Sequence, residues 1–159
     1  MSIKRRTFIQ AAGAGLAASS LPLLGRKARA ADFKAGYIYV GPIGDFGWSY
    51  QHDQGRLALE KKFGAKIETS YLANVPENDS ERSIEQLARP GHNLIFTTSF
   101  GFMEPTLRVA RKFPNVKFEH ATGFKRAANV ATYAAKFHEG RYIIGQIAGK
   151  MTKTNTIGY

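Results

Sequence analysis

The chain has 159 residues, carries 23 Lys+Arg against 12 Asp+Glu for a formal net charge of +11, and contains no Cys. That length suits one modest domain, and 43% hydrophobic against 22% charged residues is not the composition of a disordered chain. The missing Cys excludes structural disulfides, thiolate zinc sites, thiol catalysis and a lipid-anchored cysteine within these residues.

Residues 1–30 read as an export signal. Lys4, Arg5 and Arg6 form a basic start, residues 11–24 are mildly apolar, and Ala28-Arg29-Ala30 is an A-x-A cleavage site. The arginine pair, followed by one residue and then Phe8-Ile9, resembles a twin-arginine signal. The apolar run is too short to span a bilayer. This segment holds six of the bases and none of the acids, so cleavage leaves 17 bases against 12 acids. Such a surface carries no long basic stripe, and a nucleic-acid polymer is not an expected partner.

The remainder alternates strand and helix. Phe33–Gly41 contains the β-branched and aromatic run Tyr37-Ile38-Tyr39-Val40, stopped by Gly41-Pro42. Ser49–Phe63 reads as a helix with Ser49 capping its first turn, Asp53 suiting its positive end, Leu59 and Phe63 on one face, and Gly64 ending it. Lys66–Leu72 reads as a strand. Asn78 or Asp79 opens a helix whose face is Ile84, Leu87 and Ala88, ended by Pro90-Gly91. Leu94–Thr98 is a near-continuous apolar and β-branched run, the pattern of a strand covered on both faces. A third helix starts near Pro105 and turns Leu107, Ala110 and Phe113 inward. Val116, Phe118 and His120 alternate as a fourth strand, and Val130–Ala134 reads as a fifth. Glu139–Met151 reads as a helix with Ile143, Ile144, Ile147, Ala148 and Met151 on one side. Thr156–Tyr159 reads as the start of a further strand.

This order predicts an α/β sheet with helices on both faces. Ligands of such sheets bind outside the carboxyl ends of the strands, so residues 41–49, 73–79, 99–105 and 121–129 are the segments of interest. The richest is Gly41–Ser49. Its glycines permit close backbone approach, Asp45 is an acceptor-only carboxylate, and Trp48 offers a flat face for a ring. The same residues also suit a Gly-rich turn with a buried Trp and a capping Ser. Ser99 and Phe100 leave the central strand, and Phe100 or Phe102 is placed to face Trp48 across a ligand or else to lie in the core.

Enzyme patterns fail. Gly47-Trp48-Ser49-Tyr50-Gln51 lacks the closing Gly of a nucleophile elbow. No G-x-G-x-x-G follows the first strand, and no Walker loop is present. His52, His92, His120 and His138 form no metal-ligand pair at helical spacing and read as surface or packing residues. No catalytic residue, metal site or cofactor is expected.

Three segments carry a family resemblance: Gly44-Asp45-Phe46-Gly47-Trp48-Ser49, Phe96–Gly101, and Phe137-His138-Glu139-Gly140-Arg141-Tyr142 leading to Gly145. With them, residues 31–159 resemble substrate-binding proteins of the basic membrane protein family, relatives of bacterial purine nucleoside receptors. The resemblance implies a type I periplasmic-binding-protein lobe, with a mostly parallel Rossmann-like sheet and helices on both faces. It implies two lobes that close on a purine base or nucleoside, one aromatic ring from each, in a non-enzymatic periplasmic component of an ABC importer. The partners so implied are the ligand and the importer permease, with membrane contact only through the transporter. Gly44, Asp45, Trp48, Ser49, Ser99 and Phe100 are the ligand-binding residues expected. Trp48 and Ser49 stand where the usual family pattern has Phe and Asn, which keeps a free base such as adenine beside a nucleoside as the ligand. A receptor of the same fold for a sugar or other small solute, and an exported α/β enzyme with its catalytic groups elsewhere, are the alternatives. Family members run to about twice the mature length. Residues 31–159 are therefore expected to be an amino-terminal lobe, the second being absent or truncated.

Overall fold

The computed structural model describes residue 31, residues 33–44 and residues 46–158. The expected export signal, Asp45 and Tyr159 lie outside the described residues. From residue 31 the chain forms β1 (Phe33–Ile38), α1 (Trp48–Phe63), β2 (Ile67–Leu72), α2 (Ser80–Ala88), β3 (Leu94–Thr97), α3 (Met103–Lys112), β4 (Lys117–Ala121), β5 (Val130–Tyr133) and α4 (Phe137–Met151). Short 3₁₀ turns precede β2, α2 and α3.

The five strands make one parallel sheet in the order β2-β1-β3-β4-β5. The register sets Ile38 opposite Leu72 and Thr97, Thr97 opposite His120, and Ala121 opposite Tyr133. All five carboxyl ends therefore reach one edge at nearly the same level.

Side-chain alternation along β1 sorts the core into two layers. Ile38 joins Ile84, Leu87, Ile95, Val109, Phe118 and Val130 beneath α2 and α3. Ala35, Tyr37 and Tyr39 face the other way, where Leu59 of α1, Ile67 and Phe96 pack against them. Tyr37 and Phe96 stack at 4.7 Å and 8°. Gly36 lies where α2 crosses the sheet. A Cβ there would stand 2.9 Å from Leu87 Cδ1 and 3.2 Å from His92 Cδ2, so the close approach depends on the bare backbone.

Three local expectations change. Gly47, not Ser49, occupies the α1 cap position, and no side chain caps the helix. The Ser49 hydroxyl is spent elsewhere, as described below. Asp53 lies beyond the first turn of α1, away from its positive end, and is buried and bonded to Arg56 and Tyr39. Residues 156–158 form no strand, because nothing among the described residues pairs with them. The one-sided apolar row of α4 is present, yet Ile143, Ile144, Ile147 and Met151 are all exposed, with no described element laid over them.

Candidate functional site

In the order β2-β1-β3-β4-β5 the chain reverses direction across the sheet at β1. The connection after β1 places α1 on one face, whereas those after β2 and β3 place α2 and α3 on the other. Loops leaving β1 and β3 therefore diverge, opening a crevice at the carboxyl edge where open α/β sheets take ligands.

The β1 exit is braced by backbone bonds from Tyr39 N–H to the Leu72 carbonyl at 2.8 Å, from Val75 N–H to Tyr39 at 3.0 Å and from Asn74 N–H to Gly41 at 3.3 Å. Gly41 N–H also donates to the Ser49 hydroxyl at 3.1 Å. Ser49 is 3% exposed, so its oxygen holds the loop closed and does not face the crevice. Gly44 is exposed at the loop tip.

Trp48 spans the crevice. Its Nε1–H donates to the Thr98 carbonyl at 2.5 Å, tying the start of α1 to the end of β3. Thr98 is itself pinned to β1, its hydroxyl donating to the Ile38 carbonyl at 2.8 Å. With its N–H satisfied, the indole is held in one orientation while 39% of the residue stays open to solvent. His52 lies 4.5 Å from the ring and Phe137 5.9 Å. His52 Nδ1 sits 2.9 Å from the Trp48 carbonyl, which only accepts, so Nδ1 carries the proton. Trp48, Gln51, His52, Ala121, Tyr133 and Phe137 line a cavity of about 420 Å³ on this side of the ring.

The β3 exit carries Ser99 and Phe100. The Ser99 hydroxyl donates to Glu77 Oε1 at 2.8 Å, and its carbonyl accepts from His120 Nε2 at 2.8 Å. His120 is fully buried, and its Nδ1 has no partner among the described residues. Burial holds its pKa below the usual imidazole value despite the bond to Ser99. Phe100 is 57% exposed, with Phe124 at 6.2 Å. Phe102 is fully buried in the α2/α3 core, so it is not a ring facing Trp48.

Left-handed backbone gathers at this edge. Phe46 (φ 56°), Asn74 (φ 56°) and Thr122 (φ 67°) lie in the loops leaving β1, β2 and β4. For a β-branched Thr this conformation is costly, and such strain concentrates where geometry serves binding.

The position of α1 is set by a buried network. Arg56 Nε donates to Asp53 Oδ1 at 2.6 Å, and Nη1 donates to Glu60 at 2.9 Å and Thr69 at 3.0 Å. The guanidinium lies 4.9 Å from the centre of the Tyr71 ring, and Tyr39 donates to Asp53 at 3.3 Å. Burial pushes the Tyr39 hydroxyl far above its usual pKa and that of Tyr37 up to about 12. Through α1 this network aims Trp48.

A second cavity, of about 450 Å³, lies at the amino ends of β1 and β3, among Phe33, Leu59, Phe63, Ile67, Leu94 and Phe96. It is apolar and remote from the strand exits. Among the described residues no three His, Cys, Asp or Glu converge to hold a metal ion, and no helix is long and apolar enough to cross a membrane.

The structure thus brings Trp48, Ser49, Ser99 and Phe100 to one edge, with Gly44 at its rim. It adds Thr98, Glu77 and His120, which the sequence reading did not single out. Glu77 falls in a strand-exit segment of interest, but only tertiary contact ties it to Ser99.

Comparison with known proteins follows the same lines. Over 139 residues the chain is 58% identical to a purine-binding protein of Brucella abortus (strain 2308), spanning 86% of this chain and 40% of that protein. Over 125 residues it is 42% identical to a Haloferax volcanii protein provisionally named as an ABC transporter glucose-binding protein, spanning 79% of this chain and 32% of that one. The matched part of the chain thus spans less than half the length of either relative. A solved ABC transporter solute-binding protein from Aeropyrum pernix K1 superposes with a TM-score of 0.63 at 21% identity, over 76% of this chain and 35% of that one. One from Conexibacter woesei DSM 14684 gives 0.61 at 23%, over 74% and 40%. These two likenesses concern the fold, which is of the periplasmic-binding-protein type. Residues 33–159, all five strands and four helices, match the family described as ABC transporter substrate-binding protein PnrA-like, and the chain belongs to that family.

Proposed function

We propose that this chain is the amino-terminal lobe of an exported substrate-binding protein that captures a purine base or nucleoside and presents it to an ABC importer. The observation that carries the reading is Trp48: its N–H is fastened across the β1/β3 crevice while the ring stays part-exposed at the ligand-binding edge of the sheet. A fixed, open indole suits a flat heterocycle, and stacking a base on an aromatic ring contributes about 1–3 kcal/mol. The 58% identity with a purine-binding protein supports the same ligand class.

In this reading Trp48 and the β3 exit form one wall, with Gly44, Ser99 and Phe100 around it and Ser49 holding the loop from beneath, and Asp45 is a further polar contact to the ligand. A second lobe supplies the other wall and closes on the ligand by hinge motion. Residues 1–30 direct the protein through the twin-arginine route to the periplasm, and the protein binds its ligand without transforming it. A sugar is the second reading, favoured by the 42% identical relative named for glucose binding.

The test is a thermal-shift screen of the intact receptor against purine bases, nucleosides and sugars, since a ligand of the native state raises its melting point. Adenine or a nucleoside should give the largest shift, and Trp48→Ala should remove most of it. A shift with sugars alone, or one untouched by Trp48→Ala, refutes the reading.

A further inference from the structure

We infer that Glu77 is a ligand-binding carboxylate of this site, accepting an N–H or O–H from the purine ligand, with Ser99 holding it in position. The inference rests on the purine reading above and adds to it the residue that reads the ligand's donors.

Glu77 follows β2, yet its side chain reaches the β3 exit, where Oε1 accepts the Ser99 hydroxyl at 2.8 Å. Because β1 lies between β2 and β3, this bond crosses above the carboxyl end of β1. Neighbouring strands are about 4.8 Å apart, so the link joins the exits of two strands that do not pair with each other. Trp48 grips the Thr98 carbonyl and Glu77 grips the hydroxyl of the next residue. Trp48 and Glu77 are thus anchored on adjacent residues of one strand exit.

Two further features separate Glu77 from an ordinary surface acid. The acids of α1, α2 and α3 all pair with Lys or Arg, whereas Glu77, like Asp79 and Glu119, is in no ion pair among the described residues; of these three only Glu77 also holds a hydroxyl of the β3 exit. A carboxylate offers about four acceptor positions, and a single side-chain bond occupies this one among the described residues. The carboxyl group also packs flush on Gly101, where any Cβ would collide with its carbon and both oxygens. The carboxylate is thus held in a slot at the crevice, with acceptor capacity left over. A neutral ligand with adjacent N–H or O–H donors is the chemistry that fits: the donor edge of a base such as adenine, or the hydroxyls of a ribose.

The test is titration calorimetry of the intact receptor with adenine and with adenosine, comparing wild type, Glu77→Gln and Ser99→Ala. Gln keeps the size but exchanges one acceptor oxygen for a donor. If Glu77 meets the base, Glu77→Gln weakens both ligands at least about tenfold. If it meets the ribose, adenosine alone weakens, and either result supports the assignment. Ser99→Ala, which leaves the carboxylate but frees it, should weaken the same ligand about two- to fivefold. Melting points of the ligand-free variants within a few degrees of wild type exclude misfolding. Glu77→Gln binding both ligands within twofold of wild type overturns the role of Glu77 and leaves purine binding standing. Wild type taking neither ligand removes the purine reading and this inference with it.

Discussion

Replacing Arg56 by Met tests the network that holds α1. Arg56 is 8% exposed and Asp53 4%, and the guanidinium serves Asp53, Glu60 and Thr69 at once. Met fills most of the side-chain volume but leaves the Asp53 carboxylate buried, with Tyr39 its remaining side-chain donor among the described residues, at 3.3 Å. Glu60, with 39% of its side chain exposed, turns to water and contributes little. Breaking a buried ion pair from one side costs about 3–5 kcal/mol. At about 4 °C per kcal/mol for a domain of this size, the melting point should fall by roughly 10–20 °C. Urea unfolding followed by circular dichroism and by the chain's one Trp, Trp48, gives the free energy directly. The double variant Asp53→Asn/Arg56→Met should recover about 1–3 kcal/mol relative to the sum of the two single changes. A loss below about 1 kcal/mol for Arg56→Met, or strictly additive costs, would show that the pair is solvent-screened and does not position α1.

Gly36→Ala should destabilise the chain by about 1–3 kcal/mol, since its Cβ would crowd Leu87 and His92 in a packed layer; an unchanged urea midpoint refutes that close approach. His120 is kept neutral by burial, so below its unfolded pKa of about 6.5 the unfolded chain takes up a proton that the folded chain resists. Stability should therefore fall from pH 7 to pH 5, and His120→Gln should flatten this slope. Carboxylates Glu81, Glu85 and Glu104, held low mainly by Arg108, Lys112 and Lys125 respectively, act in a more acidic window. If the proposed two-lobe site is right, residues 31–159 alone should bind purines weakly or not at all; calorimetry showing micromolar or tighter binding refutes this.

The apolar row of α4 shows where periodicity ends as a guide. Spacing along the chain correctly places Ile143, Ile144, Ile147 and Met151 on one side, but what covers a helix face depends on residues distant in sequence. Ser49 makes the same point at smaller scale. A hydroxyl near a helix start reads as a cap, and here a loop returning from β1 brings Gly41 N–H to it first. Asp53 likewise read as a partner of the positive helix end, and in the fold Arg56 and Tyr39 close around it.

Local information was enough for the alternation of five strands with four helices and for the strand exits as the place to look, though it also suggested a further strand at 156–159 that residues 156–158 do not form. Turn residues and hydrophobic period act over a few positions, and the parallel pairing of β1 to β4 follows from that order, whereas β5 follows β4 with no helix between and pairs parallel all the same. The strand order, and with it the crevice between β1 and β3, was decided by tertiary packing. So were the bond from Trp48 to Thr98, the burial of Ser49 and Phe102, and the meeting of Glu77 with Ser99. Each joins residues many positions apart, and their hydrogen bonds depend on distances of a few tenths of an ångström that no spacing in a linear sequence encodes.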